Sequence, residues 1–512
     1  MLRSVRSVIA AALLGLWACG GARIDAAGDG AMTPADGGET DAGDAGKSAP
    51  DAGADAGLPD AGGADAGPGD AGEADAGPPR ADVPAQPCSD SPGDVYVTPN
   101  NLPPMTESLR GEVVRCALDV ALDLPTVSSE VTAKGITAAM TSAVTLYRIA
   151  FRTERGDGSA GVSTARVYLP QAPRPLPMPL ILIGHPTVGL ADACAPSMDP
   201  ASNQDLALPW AGLGFAVIVP DYAGLGNEGT QGYLDNRDTA QSLLDGARAL
   251  RKLLAAGVFS SKILASGFSQ GGGATLSAQA LFSSYGADGE LAGAIVFAPE
   301  WPSRLNSFGL VSMLENPTEL TIETGISENV VSVLRWYAYF ANYFGEADAG
   351  DGFPAADRTS ISAAVNSLCE TPLGGYLQGV AAHVGDTMDP TLRTTLLACV
   401  QGSGQGANCV DPGLTAYQFL SANLLNADPQ GAPILYVQGL ADYVMPAASE
   451  AACNLVKLHA DGVDPQVCVD ALAQHQTVVA RNMDFVLGWG QALLGGQPLP
   501  SCSSAGMPVC TP

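Results

Sequence analysis

Residues 267–273, with the sequence Gly-Phe-Ser-Gln-Gly-Gly-Gly, constrain the fold of this chain more than any other segment. They follow a short apolar run at residues 263–266 and precede residues 274–281, whose composition is typical of a helix. Gly-x-Ser-x-Gly in that setting predicts a strained strand–turn–helix connection, because only glycine on either side of Ser269 lets the backbones pass. Such a turn exposes the serine hydroxyl at the edge of a sheet and aims the amide of Gln270 where an oxyanion can be stabilised. Ser269 is therefore the predicted nucleophile.

Short apolar runs recur along the chain and alternate with helical segments. They occupy residues 180–183, 215–219, 263–266, 292–297 and 434–438. Runs of this length suit strands that are buried on both faces of a parallel sheet. Residues 238–255 place leucine and alanine at helical spacing, and residues 144–152 and 162–169 read as a hairpin ahead of the series. The pattern predicts an α/β fold with a mostly parallel central sheet.

Residues 299–432 break this alternation. They contain an aromatic helix at residues 330–340 and several loops rich in glycine and proline. A long crossover between parallel strands can hold a subdomain above the carboxyl ends of the strands, where such sheets bind ligands. We therefore expect a largely helical cap or lid at 299–432, which splits the core into 88–298 and 433–512. The aromatic helix either gates an acyl pocket or forms the core of the cap itself.

The first 19 residues read as an export signal. Two arginines precede an apolar run at residues 8–18, which is too short to cross a bilayer of roughly 30 Å as a helix. The run ends in Leu-Trp-Ala-Cys, which resembles a bacterial lipobox and makes Cys19 the predicted lipidation site. Trp17 departs from the small residue that is usual there, so simple secretion with cleavage nearby is the alternative. Glycine follows the cysteine, which in such lipoproteins favours the outer membrane.

Residues 20–87 are predicted to be a disordered tether. They repeat Asp-Ala-Gly, and residues 25–82 hold 14 acidic side chains against two basic ones and no aromatic residue. Such a segment has too few apolar side chains to bury to offset the conformational entropy that it would lose on folding, and repulsion between its like charges keeps it extended. A calcium-binding repeat is the alternative, but it needs a nonapeptide with large apolar residues that this segment lacks.

The net charge of −29 excludes some classes of partner. Residues 83–512 alone carry −20, whereas a nucleic-acid binder that neutralises phosphates needs a basic face. The same charge disfavours tight binding to anionic lipid surfaces, so we expect contact with a membrane only through the N-terminal anchor. No metal ion or organic cofactor is implied.

Beyond Cys19 the chain has ten cysteines, and an even number in an exported protein indicates disulfides. A zinc site is not expected, because the sequence has four histidines and no Cys-x-x-Cys pair. Proximity in the sequence suggests the pairs Cys88–Cys116, Cys399–Cys409, Cys453–Cys468 and Cys502–Cys510, leaving Cys194–Cys369.

A serine of this kind needs a base and an orienting acid, in the chain order Ser, Asp or Glu, His. Asp442 follows the predicted strand at residues 434–438, where the acid is expected; a turn or helix N-cap is its alternative role. Of the two later histidines, His459 ends a predicted helix, whereas His475 follows a predicted strand, which favours His475. A neutral His475 can take the proton of Ser269 and return it to the leaving group, while Asp442 fixes the tautomer.

The first oxyanion donor is expected after the strand at residues 180–183. Glycines in the segment that follows let backbone amides turn inward, as a tetrahedral oxyanion requires. His185 adjoins this turn and precedes the serine in the chain, so we expect it to shape the loop rather than to act as the base.

Three segments together resemble the secretory lipase family, the group that includes lipase A-type enzymes: residues 184–197, 221–226 and 267–274. The similarity covers roughly residues 147–495. The resemblance implies an α/β-hydrolase fold with a cap inserted after the strand that follows the serine turn. It also implies a Ser/Asp/His triad, carried here by Ser269, Asp442 and His475.

The same resemblance implies that Gln270 and the loop near Gly189 donate to the oxyanion. Pro186 stands where many relatives have glycine, and proline has no amide hydrogen to donate. The first donor therefore stays open between Thr187 and Gly189. The lipid anchor and the acidic linker also lie outside the usual pattern of the family.

Three other interpretations of the sequence compete with this one. Residues 224–229 fit the dinucleotide pattern Gly-x-Gly-x-x-Gly, but they do not open directly into a helix, so we expect a loop bordering the substrate entrance. A triad enzyme of other specificity, such as a peptidase or an acyltransferase, uses the same acyl-enzyme chemistry. A catalytically inactive hydrolase fold could serve as a surface binding protein. The expected function is a carboxylic ester hydrolase, a lipase or esterase for acyl esters or acylglycerols.

Overall fold

The computed structural model describes residues 79–199, 201–301, 314, 318 and 328–510. By its internal contacts the chain divides into Met1–Gly72 and Glu73–Pro512, and the first unit lies wholly outside the described residues. The predicted signal peptide at 1–19, the lipidation site Cys19 and most of the tether at 20–87 lie outside the described residues as well. In the part of the chain that is described, no helix is long and apolar enough to cross a membrane.

One mixed sheet of nine strands forms the centre of the described residues. The strands are β1 (Val113–Leu122), β2 (Val144–Glu154), β3 (Ala160–Pro170), β4 (Met178–Gly184), β5 (Ala216–Pro220), β6 (Phe259–Phe268), β7 (Glu290–Phe297), β8 (Ile434–Gly439) and β9 (Gln466–Asp470). Their spatial order is β1-β2-β3-β5-β4-β6-β7-β8-β9. Strands β4 to β9 are parallel, whereas β1, β2 and β3 pair antiparallel with their neighbours. The predicted α/β fold with a mostly parallel sheet is confirmed.

Helices lie between the strands. The described α-helices are α1 (Leu124–Ala133), α2 (Gln204–Gly212), α3 (Asn236–Leu253), α4 (Gln270–Leu281), α5 (Glu328–Phe344), α6 (Arg358–Val365), α7 (Glu370–Gln378), α8 (Pro390–Gln401), α9 (Gly413–Ala422), α10 (Ala452–Ala460) and α11 (Val478–Leu494). The α3 helix starts at an Asp235 N-cap, whose carboxylate accepts the amides of Arg237 and Asp238.

Both faces of the sheet are covered by apolar side chains, which explains the unbroken apolar runs in the sequence. In β4, Ile181 and Ile183 belong to a core cluster with the buried residues of α2 and α11. The alternate residues Leu180 and Leu182 belong to a second cluster with the buried residues of α3. Successive side chains of a strand point to opposite faces, so a strand between two helical layers must be apolar at every position.

The sheet extends one strand beyond the predicted hairpin. The hairpin itself is observed, with Glu154 of β2 opposite Ala160 of β3. Strand β1 precedes it and was not foreseen, because an edge strand needs to bury only part of its surface and lacks a continuous apolar run. Its Leu118 and Val120 are exposed, and among the described strands β1 pairs only with β2.

Helices α5 to α9 occupy the chain between β7 and β8 and share an apolar cluster of their own. The aromatic residues Trp336, Tyr337 and Phe340 of α5 are buried in it. The same cluster includes Leu190 and Tyr233, which belong to loops that follow β4 and β5. The helices of this insertion therefore pack directly on the loops at the carboxyl ends of the strands.

Five disulfides form among the described residues, and two of the five predicted pairings were wrong. Cys88–Cys116, Cys194–Cys369 and Cys399–Cys409 form as expected. The remaining pairs are Cys453–Cys510 and Cys468–Cys502 rather than Cys453–Cys468 and Cys502–Cys510. The chain after α11 returns along the edge of β9, where the amide of Val469 donates to the carbonyl of Ser503 at 2.8 Å. That return brings Cys502 beside Cys468, so proximity in space overrides proximity in sequence.

Candidate active site

Ser269 occupies the turn between β6 and α4. Its backbone has φ 55° and ψ −120°, a conformation that non-glycine residues seldom adopt. A Cβ atom at Gly267 would lie 2.1 Å from the carbonyl oxygen of Gly271, so the turn closes only with glycine there. Backbone hydrogen bonds join the turn to the end of the neighbouring strand β7. The amide of Ser269 donates to the carbonyl oxygen of Phe297, and the amide of Glu300 donates to the carbonyl oxygen of Ser269, each at 3.0 Å.

Asp442 lies in the loop after β8, three residues beyond the end of the strand. Its Oδ1 atom accepts the amides of Val444 at 2.9 Å and Met445 at 2.8 Å. Its Oδ2 atom lies 2.8 Å from Nδ1 of His475, and the carboxylate side chain is fully buried. The loop therefore fixes the carboxylate with one oxygen directed at the imidazole.

His475 stands at the start of a short 3-10 turn between β9 and α11. Its Nε2 atom lies 3.0 Å from Oγ of Ser269, and its ring packs against Phe268 with 4.7 Å between centroids. A buried carboxylate accepts only, so we assign the ring proton to Nδ1, which leaves Nε2 free to accept from the serine hydroxyl. The structure thus brings Ser269, His475 and Asp442 into one hydrogen-bonded line.

The alternative base, His459, lies away from this line. Its side chain is 55% exposed, and its Nε2 atom lies 3.2 Å from the exposed carboxylate of Asp464. It lies in the last turn of helix α10, as its position before Asp461 and Gly462 suggested.

The turn that carries the two candidate oxyanion donors starts beside the serine turn. Gly184 at the end of β4 pairs with Gly267 at the end of β6. A Cβ atom at Gly271 would lie 2.1 Å from the carbonyl oxygen of Gly184 and 2.7 Å from that of His185. The first residues after β4 therefore touch the first turn of α4. The amide of Gln270, the first residue of that helix, has no hydrogen-bond partner within the helix.

Thr187 and Gly189 differ in their surroundings. Thr187 is buried, and its hydroxyl lies 2.8 Å from the hydroxyl of Tyr233. Gly189 has φ +113°, and a Cβ atom there would lie 3.1 Å from Cα of Cys369 in the insertion. Next to it, the carbonyl of Val188 accepts the amide of Glu370 at 2.9 Å. The Cys194–Cys369 disulfide fastens the same two segments together.

His185 is fully buried and supports this turn. Its Nδ1 atom lies 2.6 Å from the carbonyl oxygen of Pro186, and its Nε2 atom lies 3.1 Å from that of Asp221. Burial lowers the pKa of the imidazole, although Asp221 opposes the shift. Asp221 in turn accepts the amide of Ser197 at 2.8 Å and the hydroxyl of Thr164 at 2.6 Å. The network holds the turn in place without contacting the serine hydroxyl.

Sequence reasoning missed three charged residues near the site: Arg335, which is buried, and Glu300 and Glu370, which are half-buried with one carboxylate oxygen of each shielded from solvent. Glu300 follows β7 at the same sheet edge, and burial raises the pKa of its carboxyl group, a shift that Arg335 opposes. Burial lowers the pKa of Arg335 on helix α5 and raises the pKa of Glu370 to about 8. The position of Glu300 at the end of a buried strand was the one available signal, since Arg335 and Glu370 come from the insertion.

The loop at residues 224–229 does not open into a helix, since α3 begins only at Asn236. Gly224, Gly226 and Gly229 all have positive φ angles. Across residues 79–199, 201–301 and 328–510, no group of three or more His, Cys, Asp or Glu side chains is placed to hold a metal ion.

Part of the chain matches a known family. Residues 206–301, which include β5, α3 and the serine turn, match the sequence model of the family described as secretory lipase. The predicted resemblance to that family is thereby confirmed. A search of the curated proteins found no match.

The fold matches solved structures of lipases and esterases. The rice cell wall degrading esterase LipA of Xanthomonas oryzae aligns with a TM-score of 0.54 and 18% identity, over 75% of this chain and 97% of LipA. Candida antarctica lipase A aligns with a TM-score of 0.56 and 16% identity, over 82% of this chain and 88% of the lipase. At these identities the similarity establishes the fold, which is that of the α/β-hydrolases.

Proposed function

We propose, from the match of residues 206–301 to the secretory lipase family, that this protein is a carboxylic ester hydrolase, a lipase or esterase for acyl esters or acylglycerols. The observation that carries the proposal is the placement of His475 between Ser269 and Asp442, with 3.0 Å to the hydroxyl and 2.8 Å to the carboxylate. Each of these side chains is buried, so solvent does not compete for their hydrogen bonds.

The proposed reaction begins with attack of Ser269 Oγ on the ester carbonyl. His475 Nε2 takes the hydroxyl proton, and the imidazolium is stabilised by Asp442 at Nδ1. The tetrahedral intermediate collapses when His475 gives the proton to the departing alcohol oxygen, which leaves an acyl group on Ser269. Water then attacks the acyl-enzyme while His475 takes a proton from it. The second tetrahedral intermediate collapses when His475 returns that proton to Ser269 Oγ, which breaks the bond to the acyl carbon and releases the acid.

Negative charge develops on the former carbonyl oxygen in both steps. We propose that the amide of Gln270 and an amide of the turn after β4, at Thr187 or Gly189, receive it. The proposed role of the Gln270 amide is supported by its position at the start of α4. There it lacks an intrahelical partner, and the helix dipole favours negative charge.

Hydrolysis of a series of p-nitrophenyl esters, from acetate to palmitate, tests the proposal. Ser269→Ala should lower kcat by about four to six powers of ten, because the nucleophile is lost and only binding and oxyanion stabilisation remain. Ser277→Ala is the matched control, since Ser277 is buried in α4, the helix that follows Ser269, and its hydroxyl donates to the Gly273 carbonyl at 2.8 Å. The chain-length optimum distinguishes an esterase from a lipase.

A fluorophosphonate probe provides a second readout that does not depend on the choice of ester. It should label the wild-type protein on Ser269, located by peptide mass spectrometry, and leave Ser269→Ala unlabelled. A folded wild-type protein that hydrolyses no ester and takes no label would overturn the proposal and favour a binding protein. Labelling without ester hydrolysis would favour a peptidase or an acyltransferase.

We further propose that the enzyme acts outside the cytoplasm and is held at the outer membrane through a lipid on Cys19. Five disulfides among the described residues suit an oxidising compartment. Cys19→Ser should shift the protein from the membrane fraction to the soluble extracytoplasmic fraction and abolish incorporation of labelled palmitate. If the wild type and the Cys19→Ser variant are distributed alike between the membrane and soluble fractions, simple secretion is favoured instead.

A further inference from the structure

Two buried hydroxyl groups meet beside the serine turn, and the mechanism above uses neither of them. Oγ1 of Thr187 lies 2.8 Å from the hydroxyl oxygen of Tyr233. Thr187 is 5% exposed and Tyr233 is 3% exposed. Within the described part of the chain, each hydroxyl has the other as its hydrogen-bond partner.

The chemistry of the two groups sets the direction of this hydrogen bond. A phenol is a better donor than an aliphatic alcohol, because its conjugate base is delocalised over the ring. Burial raises the pKa of Tyr233, so the hydroxyl keeps its proton over the working range of an enzyme. Tyr233 therefore donates to Thr187, and the single hydroxyl proton of Thr187 is left to point at another acceptor.

The backbone places the start of the turn that carries Thr187 beside the serine turn. Gly184 pairs in register with Gly267, and the His185 carbonyl packs on the Gly271 end of helix α4. Pro186 has no amide hydrogen, so Thr187 is the first residue after His185 that can donate from its backbone. A threonine at this point can offer both an amide and a hydroxyl to the same oxygen.

We propose that the Thr187 hydroxyl is an additional oxyanion donor, and that Tyr233 is the positioning residue that aims it. This inference rests on the proposed ester hydrolysis. In the resting site the Thr187 proton has no acceptor among the described residues, whereas the tetrahedral intermediate presents one with full negative charge. Charge-assisted hydrogen bonds of this kind are stronger than neutral ones, so the hydroxyl stabilises the intermediate more than the bound ester.

The insertion preorganises this pair. Tyr233 belongs to the apolar cluster that includes Val330, Val333 and Leu334 of α5, so its ring is held by packing on the insertion. A donor that is fixed before the reaction needs no reorganisation when charge develops, which is the main source of electrostatic stabilisation in such sites.

Three single variants test the proposal: Thr187→Val, Thr187→Ser and Tyr233→Phe. Thr187→Val removes the hydroxyl at almost constant shape and should lower kcat for p-nitrophenyl butyrate by about 10- to 100-fold, with KM changed less than threefold. Thr187→Ser keeps the hydroxyl and should stay within about fivefold of wild type. Tyr233→Phe should lower kcat by about three- to tenfold, because the Thr187 hydroxyl is no longer oriented.

The double variant Thr187→Val/Tyr233→Phe separates positioning from simple packing. If Tyr233 acts through the Thr187 hydroxyl, removing the Tyr233 hydroxyl from the Thr187→Val variant should cause no further loss of activity. The inhibition constant of an alkyl boronic acid, whose serine adduct is tetrahedral and anionic, should rise in step with the loss of kcat/KM. Thermal unfolding and titration with the fluorophosphonate correct each value for the fraction of folded, active enzyme.

The outcomes separate this inference from the proposed function. Ester hydrolysis by the wild type, with kcat of folded Thr187→Val within threefold of it, would overturn the inference and leave the function intact. Independent, multiplicative losses in the double variant would overturn the positioning role of Tyr233. A wild-type protein without ester hydrolysis would overturn the proposed function first.

Discussion

The Nε2 atom of His475 lies 3.0 Å from the Oγ atom of Ser269, although 206 residues separate the two side chains. The contact follows from the sheet. Ser269 comes directly after β6 and His475 follows β9, and the parallel strands β7 and β8 lie between them. Parallel strands end at the same edge of a sheet, so residues that follow different strands converge there.

Asp442→Asn should abolish most activity while leaving the fold intact. The side-chain oxygen of asparagine can still accept the amides of Val444 and Met445, which Asp442 accepts at 2.9 and 2.8 Å. Its amide nitrogen cannot accept from His475 Nδ1, so it favours the tautomer whose Nε2 is protonated and cannot act as base. We expect kcat to fall by about 10⁴-fold, measured on p-nitrophenyl butyrate, with little change in Tm. A variant within tenfold of wild type would remove Asp442 from the proposed triad.

Gly271→Ala should destabilise the protein by at least about 3 kcal/mol, because the new Cβ atom would sit on the carbonyl groups of Gly184 and His185. Gly488→Ala is the control. Gly488 is exposed in α11 with nothing within 4 Å of a Cβ, so the change should stabilise by about 0.5–1 kcal/mol. Urea unfolding measures both free energies, and equal stability of the two variants would contradict the close packing of β4 on α4.

Removing the Cys194–Cys369 disulfide by a double change to alanine should impair both stability and turnover. The disulfide spans 175 residues, for which the chain-entropy account predicts about 5 kcal/mol of stabilisation. It also fastens the insertion to the turn that carries Thr187 and Gly189, so kcat should fall in the fraction that remains folded. The control is removal of the Cys399–Cys409 disulfide, which spans ten residues within the insertion. For this disulfide the same account predicts about 3 kcal/mol of stabilisation. An equal effect of both removals on kcat would argue against a special role for the first.

Glu370→Gln should change how stability depends on pH. Burial raises the pKa of Glu370 to about 8, from an ordinary value near 4.5, so the folded state binds the proton more tightly than the unfolded state. Between those two values the wild type loses stability as pH rises, by up to about 1.4 kcal/mol per pH unit, and glutamine has no proton to lose. Tm profiles from pH 4 to 9 should therefore lie closest below about pH 4.5 and diverge progressively between about pH 4.5 and 8, with the variant more stable at high pH. Parallel profiles would contradict the burial of this carboxyl group.

The predictions from sequence were most accurate where local pattern and burial point the same way. The serine turn and the predicted hairpin lie where the sequence placed them. Strand β1 was missed, because an edge strand with exposed Leu118 and Val120 has neither a continuous apolar run nor strict alternation. The pairing of Cys453 and Cys468 was wrong, because both residues find partners in the C-terminal segment that returns along β9.

The amino-acid sequence by itself determined the alternation of the central parallel strands with helices and the three residues proposed as a triad. Those follow from hydrophobic periodicity, from glycine spacing around Ser269 and from position at strand ends, all of which are local properties. Only the tertiary structure decided which distant groups meet: the Thr187 and Tyr233 hydroxyls, the contact of Gly189 with Cys369, and the burial of Glu300, Arg335 and Glu370. The insertion packs through a large apolar cluster without a repeating pattern, so its contacts depend on side-chain shape in three dimensions.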